Sequence, residues 1–186
     1  MQKPFRVIFR SRKLVSHQCR PRLYFASATM NPRLYLETTI PSDLVARRSR
    51  DLRLAADHET TQEWWEVRRH AFDLFVSEAV LEEVAQGDAD FAAKRLAVVT
   101  GLPQLRTSPE ADVLVERLLR ERVLPEVAAV DAVHLALAAV HRMDFLLTWN
   151  CRHLHNPYLE RRIEAVCRGC GFPCPVICTP AELMET

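Results

Sequence analysis

The stretch Ala129-Val130-Asp131-Ala132-Val133-His134-Leu135-Ala136-Leu137-Ala138, followed shortly by Phe145-Leu146-Leu147-Thr148-Trp149-Asn150, decides how this chain folds. The first part reads as a helix that is apolar almost all round, with one carboxylate near its start. The second reads as a short buried strand that ends on a polar amide. In such surroundings Asp131 is costly as an unpaired ion, so it is neutral, paired from elsewhere in the chain, or bound to a cation. Two similar oddities lie upstream, in Leu34-Tyr35-Leu36-Glu37-Thr38-Thr39 and in Val80-Leu81-Glu82-Glu83-Val84. Three acids meeting around one divalent ion account for all of them together.

Working outward from that stretch, strand and helix patterns alternate. Strands are expected over 33–37, 72–76, 102–106, 145–148 and 175–178. Helices are expected over 51–70, 78–86, 88–100, 108–123, 125–142 and 157–169, with a last helical turn from 179. Ser77 and the Ser108-Pro109-Glu110 run are N-terminal helix signals, and Gly87 is a stop. Leu52, Leu54, Ala55, Ala56, Trp64, Trp65 and Val67 mark the apolar side of the long helix. Alternation of this kind implies a mostly parallel α/β sheet of four or five strands, covered on both faces by helices in three layers.

The chain has 186 residues, 48% of them hydrophobic and 26% charged, enough for one domain with a real core. No apolar run approaches the roughly 18–20 residues needed to span a bilayer, and a cytoplasmic protein is expected. Charge is uneven. Seven of the 25 basic residues fall in 1–30, which hold no acid; the rest carries 18 basic against 24 acidic residues, a net of −6. A body so acidic is no general nucleic-acid binder, and any RNA must be held by local arginines and a cation. Arg47, Arg48, Arg50, Arg53 and Arg152 are candidates for phosphate contact, against the plain reading of solvated surface groups. Residues 1–30 show no regular period and no secretory pattern, although an Arg-rich start is also compatible with a transit peptide. They are expected to be a disordered basic extension, with 31–186 the folded domain.

The six cysteines include Cys167, Cys170, Cys174 and Cys178. Four thiolates can complete a zinc tetrahedron. Yet Val176-Ile177-Cys178 reads as a strand that turns Cys178 away from the loop. Free thiols are the simpler reading.

In open parallel sheets, sites gather beyond the carboxyl ends of the strands. Glu37 ends the first strand, Asn150 lies just past the fourth, Glu83 follows the second, and Asp131 stands early in the helix that feeds the fourth. Asp144 precedes its strand and falls at the opposite edge, as a turn former. Glu83 flanks the buried Val80 and Val84, whereas Glu82 points about 100° away into solvent. Hard cations such as Mg²⁺ and Mn²⁺ suit converging carboxylates better than zinc does. Separate caps and ion pairs are the alternative.

At these residues the chain resembles the PIN-domain family, specifically the VapC-like ribonuclease toxins of type II toxin–antitoxin pairs. The resemblance covers about residues 33–186. Tyr35-Leu36-Glu37-Thr38-Thr39 matches the opening strand and Asp-Thr-Ser motif, with Glu in place of Asp. Ser77, Glu83 and Gly87 match a serine, acid and glycine at the family's spacing. Asp131-Ala132 opens the Ala-rich helix, and Thr148-Trp149-Asn150 matches Thr-x-Asp, with Asn in place of Asp. The resemblance implies a three-layer PIN-like fold and an Mg²⁺- or Mn²⁺-dependent endoribonuclease with Glu37, Glu83, Asp131 and Asn150 as metal and catalytic residues. It also implies an RNA substrate, a restraining antitoxin and a homodimer.

Two departures bear on activity. Glu37 lengthens its arm by a methylene, and Asn150 removes a charge, which weakens a second metal. A fold-retaining interaction protein with weakened catalysis is therefore the competing function. Thr39 is expected to steady the site through its hydroxyl. His134 reads as a packed core histidine, His153 and His155 as loop surface, and Trp64 and Trp65 as core or interface.

Overall fold

Leu34, Tyr35 and Leu36 have no exposed surface at all, because their strand lies in the middle of the sheet. The computed structural model describes residues 31–47 and 49–184. The expectations for residues 1–30 and for Arg48 lie outside the described residues. Five strands, β1 (Arg33–Leu36), β2 (Asp73–Ser77), β3 (Gln104–Leu105), β4 (Phe145–Leu147) and β5 (Val176–Cys178), pair in the order β3-β2-β1-β4-β5. Every pairing is parallel, with Tyr35 opposite Phe75 on one side and Leu146 on the other. A central strand covered on both faces needs continuous apolar sequence, which Leu34-Tyr35-Leu36 and Phe145-Leu146-Leu147 supply. Full burial of each such side chain contributes roughly 1.5–3 kcal/mol.

The helices are α1 (Thr39–Leu44), α2 (Leu52–Glu63), α3 (Glu78–Val84), α4 (Ala89–Val99), α5 (Pro109–Arg120), α6 (Ala129–Val140), α7 (Pro157–Gly169) and α8 (Pro180–Met184). They flank the sheet. Six of them match the helical patterns of the sequence; Ser77 and Ser108 open theirs as expected by accepting the Val80 and Ala111 amides, and Asp88 caps α4 by accepting those of Asp90 and Phe91. α6 is buried from Ala132 to Ala139 except at Val133, and α5 packs along it through Ala111, Leu114 and Leu118. Where Gly169 of α7 meets α5, a Cβ would come within 3.1 Å of the Arg117 guanidinium, so that side chain would have to give by a few tenths of an ångström.

Two elements differ from the sequence reading. The expected 51–70 helix is regular only to Glu63; a π turn (Trp64–Arg68) and a 3-10 turn (Arg69–Ala71) follow. Its supposed apolar side is largely in solvent, with Leu52 85% exposed and Leu54 and Val67 also exposed. Trp64 alone of that set is fully buried, packed against Phe72. The short α1 was not expected at all, because Pro41 reads as a breaker. It stands in the first turn, where a missing N–H costs nothing, and it is buried beside Ile40. No described helix is long and apolar enough to cross a membrane.

Candidate metal centre

Strands β1, β2 and β3 spread to one side of the sheet and β4 and β5 to the other, so the topology switches between β1 and β4. Crevices form beyond the carboxyl ends at such a point. Glu37 is the first residue past β1, and its amide still donates to the Leu147 carbonyl at 3.1 Å, which holds the backbone in sheet register. Its side chain is only 4% exposed. Glu37 Oε2 accepts the Thr39 amide at 3.1 Å, the Thr39 hydroxyl, and the Thr148 hydroxyl at 2.7 Å. All three donors converge on one oxygen. Oε1 accepts no protein hydrogen bond among the described residues. Thr39 Oγ1 in turn accepts the Trp149 amide at 2.8 Å, which ties the end of β1 to the end of β4. The steadying role expected of Thr39 is thus present, and Thr148 shares it.

Glu83 reaches the same place from the next strand over. β2 ends at Ser77, the cap of α3, and Glu83 lies on that short helix, half-buried, while Glu82 is exposed. Its Oε2 accepts the Thr38 hydroxyl at 2.6 Å and faces His134 Nε2 at 2.8 Å. Burial pushes this carboxyl up, but the hydrogen bonds from His134 and Thr38 outweigh it and hold Glu83 below the usual carboxylate range. One ligand atom each of Glu37, Glu83 and His134 lie within 4.8 Å of one another. His134 is 1% exposed, as a core histidine should be, yet it is no plain packing residue. Both its nitrogens are hydrogen-bonded, to Glu83 and to Tyr35.

Asp131 stands one helical turn before His134 on α6, but it is not part of that compact group. Its oxygens are taken by neighbours: Oδ1 accepts Asn150 Nδ2 at 2.8 Å, and Oδ2 faces His153 Nδ1 at 2.9 Å. Asn150 points its own oxygen at the His153 amide, 3.1 Å away, and donates its backbone N–H to Thr148 Oγ1 at 2.9 Å. Thr148 therefore links this second group to Glu37. His153 is a correction to the loop-surface reading, since Asn150 folds the loop back and sets the imidazole against Asp131. His155 faces Glu182 at 3.2 Å and stays partly exposed. Tyr35, Thr38 and Thr148 fall within the motifs read from sequence, but nothing in those motifs marked their hydroxyls as carboxylate partners or links.

Arg47 stacks on Phe91 at 4.9 Å, and Arg50, Arg53 and Arg152 are exposed. The described cysteines are free, and Cys178 lies in β5 with its thiol toward the Leu146 carbonyl at 3.8 Å. Burial, with the Glu182 charge, pushes that thiol up to about 12.

Two carboxylates whose Oε1 atoms have no protein donor among the described residues, one of them almost fully buried, are a donor set that suits a hard divalent cation. No protein-family model matches the chain, and no curated protein matches it. Among solved structures the chain is similar to one in the crystal structure of VapBC2 from Rickettsia felis bound to a DNA fragment from their promoter. The TM-score is 0.51 at 14% identity, over 78% of this chain and 97% of that one. What the two share is the fold, the parallel α/β arrangement of the PIN-like class.

Proposed function

We propose that this protein is a metal-dependent endoribonuclease and the toxin of a type II toxin–antitoxin pair, acting in the cytoplasm. The observation that carries this reading is the approach of Glu37, Glu83 and His134 within 4.8 Å at the switch point of a PIN-like sheet. Glu37 and Glu83 would hold an Mg²⁺ or Mn²⁺ ion through their free oxygens. Such an ion supplies polarisation of a phosphodiester and a more acidic water. Thr39 and Thr148 fix the Glu37 carboxylate, and Thr38 fixes that of Glu83. Asp131 supplies the further acid on the same edge, and Asn150 acts through it by holding its Oδ1. RNA is the substrate class. The VapBC2 neighbour supports an antitoxin as partner, and an arginine side chain from it would pair with these acids and compete with the metal. A homodimer belongs to the same reading.

A second reading has a specific observation in its favour. Asn150 stands where the family pattern has a carboxylate, and its oxygen is turned to a backbone amide. That arrangement also suits an interaction protein with weakened catalysis. Incubation of the full chain with total RNA, with and without Mn²⁺, separates the two. The nuclease reading expects Mn²⁺-dependent cleavage by the wild type and none by Glu37→Gln. Intact RNA alongside retained Mn²⁺ binding leaves the interaction protein.

A further inference from the structure

A hydrogen-bonded chain runs behind the acids and joins four elements. Tyr35, in β1, places its hydroxyl 2.6 Å from Ser77 Oγ and 2.7 Å from His134 Nδ1. Ser77 Oγ also accepts the Val80 amide at 3.3 Å, and His134 Nε2 meets Glu83 Oε2 at 2.8 Å. The two ends of the chain set its direction. A backbone N–H only donates, and a carboxylate only accepts. Between them Ser77 donates to Tyr35, Tyr35 donates to His134 Nδ1, and Nε2–H donates to Glu83. Each hydroxyl then gives one proton and accepts one, and the imidazole is uncharged. The reverse direction needs protons on both ring nitrogens of a side chain 1% exposed, and it leaves the Ser77 proton without an acceptor among the described residues. Burial, together with the Glu37 and Glu83 charges, pushes the Tyr35 phenol far above its ordinary value despite the Ser77 hydrogen bond.

We propose that Tyr35 is a positioning residue: by donating to His134 Nδ1 it locks the imidazole as the Nε2–H tautomer, which clamps Glu83 Oε2 and leaves Oε1 for a cation. His134 is on this account a clamp and not a ligand, although one of its nitrogens lies within 4.8 Å of a carboxylate oxygen of each acid. What Glu83 then binds rests on the metal reading above; the chain itself does not. Partners that orient a ligand in this way typically govern about 10–100-fold in metal affinity.

The test uses the full chain labelled with ¹⁵N-histidine. Long-range ¹H–¹⁵N correlation spectra of the metal-free protein at neutral pH distinguish the ring's three forms. The neutral Nε2–H form is expected for His134, and either the Nδ1–H form or a doubly protonated ring overturns the proposal. Mn²⁺ titration by calorimetry then compares wild type with Tyr35→Phe, which is expected to bind about tenfold more weakly. Leu34→Val, which loses buried contacts in the same strand but no hydrogen bond, is expected to lower the thermal midpoint and keep the wild-type affinity. A folded Tyr35→Phe protein with unchanged Mn²⁺ affinity overturns the positioning role. A wild type that binds no Mn²⁺ overturns the metal reading of the site, and the tautomer then decides the chain on its own.

Discussion

Asn150 turns its amide nitrogen toward Asp131 and its oxygen toward the His153 backbone. An aspartate at that position would set two carboxylates at hydrogen-bond distance with no proton between them, and like charges so close disfavour the ionised forms. We therefore expect Asn150→Asp to lower the thermal midpoint of the metal-free protein and to regain it on addition of Mn²⁺, measured by calorimetric scans with and without the ion. If the midpoint is unchanged without metal, the Asn150–Asp131 contact is not what holds Asp131. Glu37→Gln removes the charge but retains an oxygen for Thr39 and Thr148. The expected outcome is a folded protein that no longer binds Mn²⁺ and cleaves at least about a hundredfold more slowly, roughly 2.7 kcal/mol of barrier. Glu83 carries a pH dependence. Its folded pKa is depressed, so its contribution to stability is complete above the unfolded value of about 4.3 and is lost as pH falls through the lower folded value. Glu83→Gln is expected to flatten the fall in thermal midpoint below that pH, and an unchanged acid limb would refute it.

At the scale of elements, the site depends on what immediately follows each strand. β1 passes through Glu37 and Thr38 into α1, whose first residue, Thr39, supplies two of the three donors to Glu37. β2 passes through Ser77 into α3, so one side chain both caps the helix that carries Glu83 and begins the chain to His134. Ser77→Ala is accordingly expected to cost more than the about 1 kcal/mol of a lost cap, because it also leaves the Tyr35 hydroxyl without its donor. Urea unfolding reads this directly. A loss no greater than that of an ordinary cap would show that the two roles are not joined. α6 serves differently. Its burial on nearly all sides fixes its axial position, which places His134 against Glu83 and Asp131 against Asn150 and His153.

For the whole molecule, the sheet order brings ligands from distant parts of the sequence to one edge. Glu37 and Thr148 are 111 residues apart, and Glu83 and His134 are 51 apart, yet both pairs are in hydrogen-bond contact. A cation bound there joins segments that separate on unfolding, so it binds the folded state selectively. At a concentration one hundred times its dissociation constant it should stabilise the protein by about 2.7 kcal/mol. We expect the thermal midpoint to rise with Mn²⁺ in wild type and to be insensitive to it in Glu37→Gln. Equal stabilisation of both proteins would place the ion elsewhere.

The alternation of strands and helices, the caps at Ser77 and Ser108, and the choice of Glu83 over Glu82 were legible in the residues alone, because they rest on local periodicity and on hydrogen bonds a few positions long. The placement of Glu37 and Asn150 beyond strand ends followed from the same patterns and one rule of parallel sheets. Tertiary structure alone decided the rest. That His134 and His153 face acids, that Thr38 and Thr148 hold carboxylates, and that Asn150 turns its oxygen away from Asp131 all depend on contacts across 22 to 111 residues or on the fold of one loop. The exposure of Leu52, Leu54 and Val67 was equally hidden, because a helical pattern says which residues share a face and not whether anything covers it. Periodicity is a property of neighbours in sequence, whereas the partner of a buried polar atom is chosen by whatever the completed fold brings within reach.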